Sequence, residues 1–315
     1  MKNLRKIKGD ASFRNFFRKK IQNYSSILVF SKKDKYKNLL IYDAINKVLI
    51  NNKILAPHLI QENYKKNYIE IQDFGNQTIF KILNKKKIDK FVYFQKIIKT
   101  LNKIQLIKNR SIKDFKKKTY KIPKYSSKIL IKEANLFCNW YVQKNLFKKE
   151  RSEFTKNFKK IIKNLTLNLK LKNNFFVHRD FHVSNLMLVN NQIGVIDSQD
   201  ALIGNKAYDL ASLIDDVRFK SSNSFKKKIY NFYLKSQKKS DKNLIKNDFE
   251  ILSVLRNLKI IGIFTRLAVR DRKKKYLKLI PYAWQLIDMR MNNNKVFLDL
   301  RNLLNQSFKK RFNEN

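Results

Sequence analysis

The sequence predicts an α+β fold: a small antiparallel sheet with one helix in the first quarter of the chain, then a mostly helical remainder. Three observations carry this. Glycine and proline are scarce, 5 and 3 in 315 residues, which disfavours an all-β or disordered chain and favours long helices. Before Phe74 the apolar residues come in short runs. After Gly75 they recur at close to 3.6 residues.

Taken in order, Phe16-Phe17, Ile27 to Phe30 and Tyr68 to Ile71 read as strands. Between them, Leu40, Ala44, Ile45, Val48 and Leu49 give the segment Leu39 to Leu49 a helical face. Ile69 to Gly75 reads as the last strand and a hinge, although Asp73 and Gly75 also suit a plain turn. The expected division is therefore residues 1–75 and residues 76–315. In the second part, Ile88 to Ile107 carries apolar residues at Phe91, Phe94, Ile97, Ile98, Leu101 and Ile104. Ser126 or Ser127 caps the next helix, which runs through Leu136, Trp140 and Tyr141. Phe249 to Arg270 and Tyr276 to Met291 read as closing helices, and a polar tail follows Phe308. There is no internal repeat.

Composition bounds the class. A 43% hydrophobic content in 315 residues suffices for one large core or two modest ones. The one cysteine, Cys138, forms no internal disulfide and reads as a buried helical residue in a reducing cytosol. No apolar run reaches signal-peptide or transmembrane length, so a cytoplasmic chain with no membrane insertion is expected. The formal charge of +47 has two readings. It is either attraction to polyanions, or compositional drift onto a solvated surface, because the 71 Lys and Arg residues are spread along the chain amid abundant Asn and Ile. The second is favoured, and no specific nucleic-acid partner is expected. The 24 Phe and 14 Tyr fall mostly at helical or strand spacing among apolar neighbours, as core packing requires.

The chemistry-bearing stretch is His178-Arg179-Asp180-Phe181-His182-Val183-Ser184-Asn185, followed by Ile196-Asp197. Phe175-Phe176-Val177 is a strand-like run that delivers His178 and Asp180. Leu186 to Ile196 reads as a hairpin turning at Asn190-Asn191, two residues that tolerate positive φ. Asn185 then stands at its entrance and Asp197 at its exit. One carboxylate to accept a hydroxyl proton and two hard oxygen ligands for Mg²⁺ is the set that ATP-dependent phosphoryl transfer needs. No Gly-x-x-x-x-Gly-Lys-Ser/Thr run occurs, which argues against a P-loop enzyme.

These residues, with Asp200 to Gly204 and Ala207 to Leu213, resemble the aminoglycoside phosphotransferase and choline kinase superfamily. Within it, "HRDFHVSNLM", "GVIDSQDALIGNKAYDLASLIDD", "LKIIGIFTRLAVRD" and the opening "GDASFRNFFR" are most similar to a bacterial branch. That branch holds the anomeric kinases of N-acetylmuramate and N-acetylglucosamine in cell-wall recycling. The likeness spans about Gly9 to Tyr282. It implies a bilobal protein-kinase-like fold, with a nucleotide-binding lobe over 1–75 and a helical lobe over 76–315. It also implies ATP and Mg²⁺ as cofactors and a small-molecule sugar as substrate. Position by position, Asp180 matches the catalytic base, and Asn185 and Asp197 match the Mg²⁺ ligands. Gly9, Asp10, Ser12 and Arg14 match the loop over the phosphates. The backbone near Glu70 to Gln72 matches the adenine hinge. Asp209 and His178 match structural positions, and His182 either touches acceptor or phosphate or makes a structural hydrogen bond.

The departures are specific. Ser198 stands where the branch carries Phe, which removes an apolar plug beside Asp197 and puts the rigidity of the metal loop in question. The nucleotide loop has the single glycine Gly9, so Ser12 and Arg14 are expected to share its work. The phosphate-binding Lys of the third strand has no clear counterpart; Ser31 sits near its place, with Lys32 and Lys33 following. For the acceptor, Glu133, Asn135 and Trp140 resemble a sugar-facing helix, the alternative being an exposed Glu and a core Trp. Arg266, Arg270 and Asp271 either line the acceptor pocket or lock helices by ion pairing. Other acceptors remain open, as does a non-catalytic polyanion binder; with only 24 Asp and Glu, cationic acceptors are disfavoured.

Overall fold

The structure, a computed structural model, describes residues 4–7, 14–22, 24–32, 37–292 and 294–308. The chain forms two compact units, Met1–Pro123 with Phe175–Ile203, and Lys124–Asn174 with Gly204–Asn315.

The first unit is built on five antiparallel strands: β1 (Leu4–Ile7), β2 (Asn15–Ile21), β3 (Tyr24–Phe30), β4 (Leu59–Asn63) and β5 (Tyr68–Gln72), in the order β1-β2-β3-β5-β4. The three strands expected from apolar runs, β2, β3 and β5, are the interior ones. The two edge strands have mostly exposed or half-buried side chains, as solvated edges do, and so carry no apolar run to read. Helix α1 (Lys37–Asn51) lays Leu39 and Tyr42 onto Ile27, Val29, Ile69 and Ile71 of the sheet. Helices α2 (Ile79–Leu83) and α3 (Lys90–Gln105) follow. Asp89 caps α3 by accepting from the Phe91 N–H at 2.8 Å, and Phe94, Ile97, Ile98, Leu101 and Ile104 form its buried stripe.

A short hairpin, β6 (Ser111–Lys113) and β7 (Thr119–Lys121), then precedes β8 (Phe175–Val177), β9 (Leu186–Val189), β10 (Gln192–Val195) and β11 (Leu202–Gly204). β9 and β10 pair with Gln192 opposite Val189, so Asn190 and Asn191 form the two-residue turn, at φ of 47° and 61°. This hairpin is stitched into the first unit by bridges Leu55–Gly194 and Thr78–Met187 and by the Val195 N–H donating to Leu55 O at 2.8 Å. Contact density therefore groups residues 76–123 and 175–203 with the sheet, a different partition from a break at Gly75.

The second unit is helical: α4 (Ser127–Ala134), α5 (Gln143–Asn145), α6 (Lys148–Leu167), α7 (Ala207–Ile214), α8 (Asn223–Lys235), α9 (Lys242–Val269), α10 (Ile280–Met291) and α11 (Leu298–Ser307). Its core joins Phe137, Tyr141, Phe154, Phe158, Val254, Leu258, Phe264, Trp284 and Leu300. Ser126 is the cap of α4, and a π-helical turn at Phe137–Val142 separates α4 from α5. α9 starts seven residues before the expected Phe249, because its first turns are Lys- and Asn-rich. Pro281 at the start of α10 splits the expected Tyr276 to Met291 helix, leaving Lys274–Leu279 as a 3₁₀ segment. Cys138 is buried, and burial pushes its thiol pKa up to about 12. No helix among the described residues is long and apolar enough to cross a membrane.

Candidate active site

β8 ends at Val177, and the chain turns through His178 to Asn185 before entering the hairpin. His178 is fully buried. Burial holds its imidazole below the ordinary pKa even though Asp180 and Asp197 pull the other way. It is thus neutral at pH 7, a buried imidazole at the end of the strand that delivers the loop. The His182 N–H donates to Asp180 O at 3.0 Å and the Asn185 N–H to His182 O at 2.9 Å, which winds the loop tightly. The Asn185 Nδ2 donates to Asp180 O at 3.1 Å. Because the nitrogen end of that amide faces the loop, its Oδ1 is the end left for a cation. The Ile196 N–H donates to Asn185 O at 3.1 Å, so hairpin entrance and exit are directly joined. Asp180, Asn185 and Asp197 are all half-buried, with Asp197 at φ of 63°.

Around Asp197 the supporting groups come from far away in sequence. Arg14, buried at 5% exposure, donates from Nη2 to Asp197 Oδ1 at 2.5 Å and from Nη1 to Gln199 Oε1 at 2.7 Å. Ser198 is fully buried and donates to Asn46 Oδ1 at 2.5 Å, and the Asn46 amide donates to Pro57 O at 2.9 Å. A hydrogen-bonded chain to α1 thus stands where the sequence suggested a missing plug. Tyr42 lies beside Arg14 and Asp197, its phenol pushed up to about 12 by burial. A carboxylate and an amide oxygen are hard donors that fit a cation such as Mg²⁺, with the Arg14 guanidinium already on one of the two Asp197 oxygens. Among the described residues no group of three or more His, Cys, Asp or Glu side chains is placed to hold a metal.

Residues 3–240 match the model of the phosphotransferase enzyme family, three quarters of the chain. The chain belongs to that family. Curated relatives include the N-acetylmuramate/N-acetylglucosamine kinase of Neisseria meningitidis, 26% identical over 86% of this chain and 80% of that protein. The enzyme of the same name from Pseudomonas aeruginosa is 26% identical over 94% and 86%. Among solved structures, a gentamicin complex of APH(2")-IIa matches with a TM-score of 0.63 at 17% identity, covering 90% of this chain and 93% of that one. The last likeness shows the fold, a protein-kinase-like one with a small antiparallel sheet and a helical C-terminal region.

Other expected site residues of this phosphotransferase fall as follows. Gly9, Asp10, Ser12 and Lys33 lie outside the described residues. Glu70 and Gln72 are on β5, an interior strand whose backbone pairs with β3 on one side and β4 on the other. The Gln72 N–H donates to His58 O at 3.0 Å, and the Glu70 carboxylate accepts from Ser26 Oγ at 2.5 Å and Lys19 Nζ at 3.2 Å. The backbone at Glu70 to Gln72, the expected adenine contact, is thus paired within the sheet, which the chain leaves at Asp73. Asp73 is no plain turn residue. Its carboxylate accepts two bonds from Arg18, at 2.5 and 2.9 Å, and others from Ser25 and the Gly75 N–H. Burial acts to raise its pKa, but these donors hold it below the ordinary carboxylate value.

In the second unit Glu133 is buried, accepts from Tyr125 Oη at 2.5 Å and pairs with Lys259 at 3.1 Å. Trp140 is half-buried on the π-helical turn, and the core tryptophan is Trp284. The alternative of an exposed Glu and a core Trp is thus reversed. Arg266 is half-buried on the last turns of α9, where burial, with Arg270 close by, lowers its pKa. Arg270 is exposed and pairs with Asp271 at 2.7 Å, its neighbour in sequence, so that pair locks no helices together. Arg18, Tyr42, Asn46 and Gln199 were not found by sequence reasoning; nothing local marks residues whose partners are far off in sequence, Asp73 55 positions from Arg18, Ser198 152 from Asn46 and Arg14 185 from Gln199.

Proposed function

We propose that the protein transfers the γ-phosphoryl group of ATP to a sugar hydroxyl, the anomeric hydroxyl of N-acetylmuramate or N-acetylglucosamine. The observation that carries this is the loop holding Asp180, Asn185 and Asp197 together through the Asn185 bonds to Asp180 and Ile196. The names of the curated relatives point to the same acceptors.

Asp180 accepts the proton of the attacking hydroxyl, or orients it. Asn185 and Asp197 hold Mg²⁺, which when bound neutralises charge on the transferred phosphoryl group. Gly9, Asp10, Ser12 and Arg14 cover the phosphates, and the segment following Gln72 receives the adenine. Residues 1–75 thus form the nucleotide lobe and 76–315 the lobe that supplies catalytic loop and acceptor site. Positioning and charge neutralisation supply most of the acceleration, with no covalent enzyme intermediate. Trp140 offers a ring face to the sugar, and His182 positions Asn185, with 3.4 Å between His182 Nε2 and the Asn185 amide nitrogen. A soluble cytoplasmic enzyme fits these substrates.

The test is ATP consumption with Mg²⁺ over N-acetylmuramate, N-acetylglucosamine, other hexoses, choline and kanamycin. Turnover confined to the N-acetylated sugars, giving an acid-labile anomeric phosphate, is expected. Turnover only on another acceptor moves the substrate and keeps the mechanism. Asp180→Ala should lower kcat by at least about 10²–10⁴-fold with an unchanged circular dichroism spectrum. Undiminished activity in the folded variant would refute the base assignment.

A further inference from the structure

A protein-kinase-like site sets a lysine of the third strand against the nucleotide phosphates. Here β3 ends at Phe30, and Ser31 follows in the place of that lysine. Ser31 is buried, its Oγ has no hydrogen-bond partner, and the next residue, Lys32, is exposed. A hydroxyl brings no charge to a phosphate, so the positive charge of this site has to come from elsewhere.

The neighbouring strand supplies one. Phe16 of β2 is opposite Val29 of β3, and Asn15 is opposite Phe30. Side chains alternate along a strand, and Phe16 and Val29 share the face that packs with Leu39 and Tyr42 of α1. Continued by one position, the same register sets Arg14 across from Ser31 and on that face. The Arg14 guanidinium lies 5.5 Å from the ring centroid of Tyr42 and 5.5 Å from that of Phe16. It donates to Asp197 Oδ1 at 2.5 Å and to Gln199 Oε1 at 2.7 Å. All of these residues belong to the first unit. Two aromatic rings and two polar side chains therefore fix a permanent charge at the carboxylate assigned to the metal.

We infer that Arg14 does the work of the absent strand lysine, holding Asp197 and at the same time setting its charge against the phosphates of a nucleoside di- or triphosphate. This rests on the ATP-dependent reading and gives Arg14 a task separate from that of the loop at Gly9 to Ser12. A planar guanidinium can serve a carboxylate and a phosphate together, where an ammonium acts as a point charge. The serine at position 31 and the arginine at position 14 are then one exchange of position, with the charge moved to the adjacent strand.

The experiment measures binding of ATP, ADP and adenosine by calorimetry, with Mg²⁺ and without any sugar. It compares the wild type, Arg14→Met, and Arg14→Met combined with Ser31→Lys. Losing charge-assisted contacts should weaken ATP and ADP by roughly 10- to 100-fold in Arg14→Met and leave adenosine unchanged. Adding Ser31→Lys should return a large part of the lost ATP affinity, which a purely structural role for Arg14 does not predict. Equal losses on ATP and adenosine, no loss on ATP, or a folded double variant with no recovery would each overturn the inference. If either variant does not fold, Arg14→Gln, which keeps a donor for Asp197 without the charge, decides by the same comparison of ATP with adenosine. A wild type that binds no ATP would sink the ATP-dependent reading itself, and the assignment of Arg14 with it.

Discussion

Asp197 and Arg179 both occupy the left-handed backbone region, at φ of 63° and 77°, although neither is glycine. Such a conformation costs about 1–2 kcal/mol per residue and persists only where the surroundings enforce it. At Asp197 the enforcement is visible: Arg14, itself held by Gln199, grips the carboxylate, and Ser198 is tied to Asn46 on α1. Ser198→Ala should leave the Asn46 oxygen buried without that donor and cost about 1–3 kcal/mol, read from a thermal melt. If the tie also aims Asp197, the variant's KM for Mg·ATP should rise more than its kcat falls. Asp180, Asn185 and Asp197 were legible in the sequence because polar residues at fixed spacing interrupt apolar runs. Their supports were not, since Arg14 reaches Gln199 across 185 positions and Asn46 reaches Ser198 across 152.

The Leu186 to Ile196 hairpin was the most readable element, because two asparagines between apolar runs leave few conformations other than a two-residue turn. The interior strands and α3 were read for the same reason, namely that burial leaves a periodic trace. The edge strands β1 and β4 and the first turns of α9 were missed because solvated segments in this lysine- and asparagine-rich chain look like loops. The seat of Glu133 depends on a contact that sequence does not show. At Gly262 on α9 an added Cβ would lie 2.3 Å from the carbonyl carbon and oxygen of Leu136. The helix bearing Glu133 can lie against α9, and Glu133 beside Lys259, only because that hydrogen is not a methyl group. Gly262→Ala should therefore destabilise the protein by at least about 1–3 kcal/mol, seen as a fall in denaturation midpoint. A variant as stable as the wild type would mean that the two helices part at little cost.

At the scale of the whole molecule, charge sets the expectations. Burial acts to raise the Asp215 pKa, but Arg290 and Lys226, with hydrogen bonds from Arg290 and Ser253, hold it down at about 2. Because this folded value is depressed below that of an unfolded aspartate, near 4, the unfolded chain binds the proton more readily. Stability from Asp215 is present in full above about pH 4 and is lost as pH falls towards 2. Asp215→Asn should cost about 3–5 kcal/mol at pH 7 and flatten the acid limb of a stability–pH curve. A net charge of +47 repels itself, so Tm at pH 7 should rise as sodium chloride increases from about 0.01 to 0.5 M, where the Debye length shrinks severalfold. A Tm independent of salt would show that the lysines are too dispersed to strain the fold. The same lysines made composition the least informative part of the sequence, and the five glycines are its counterpart. At Gly194 on β10 a Cβ would stand 2.8 Å from the ring of Phe74, just beyond the end of β5. With Gly262, this makes two positions where one methyl group would wedge apart neighbours far removed in sequence. Substitution at the exposed lysines changes only what the solvent meets, whereas at these two hydrogens it meets the protein itself; a library of random variants should find these two positions far less tolerant than the lysines.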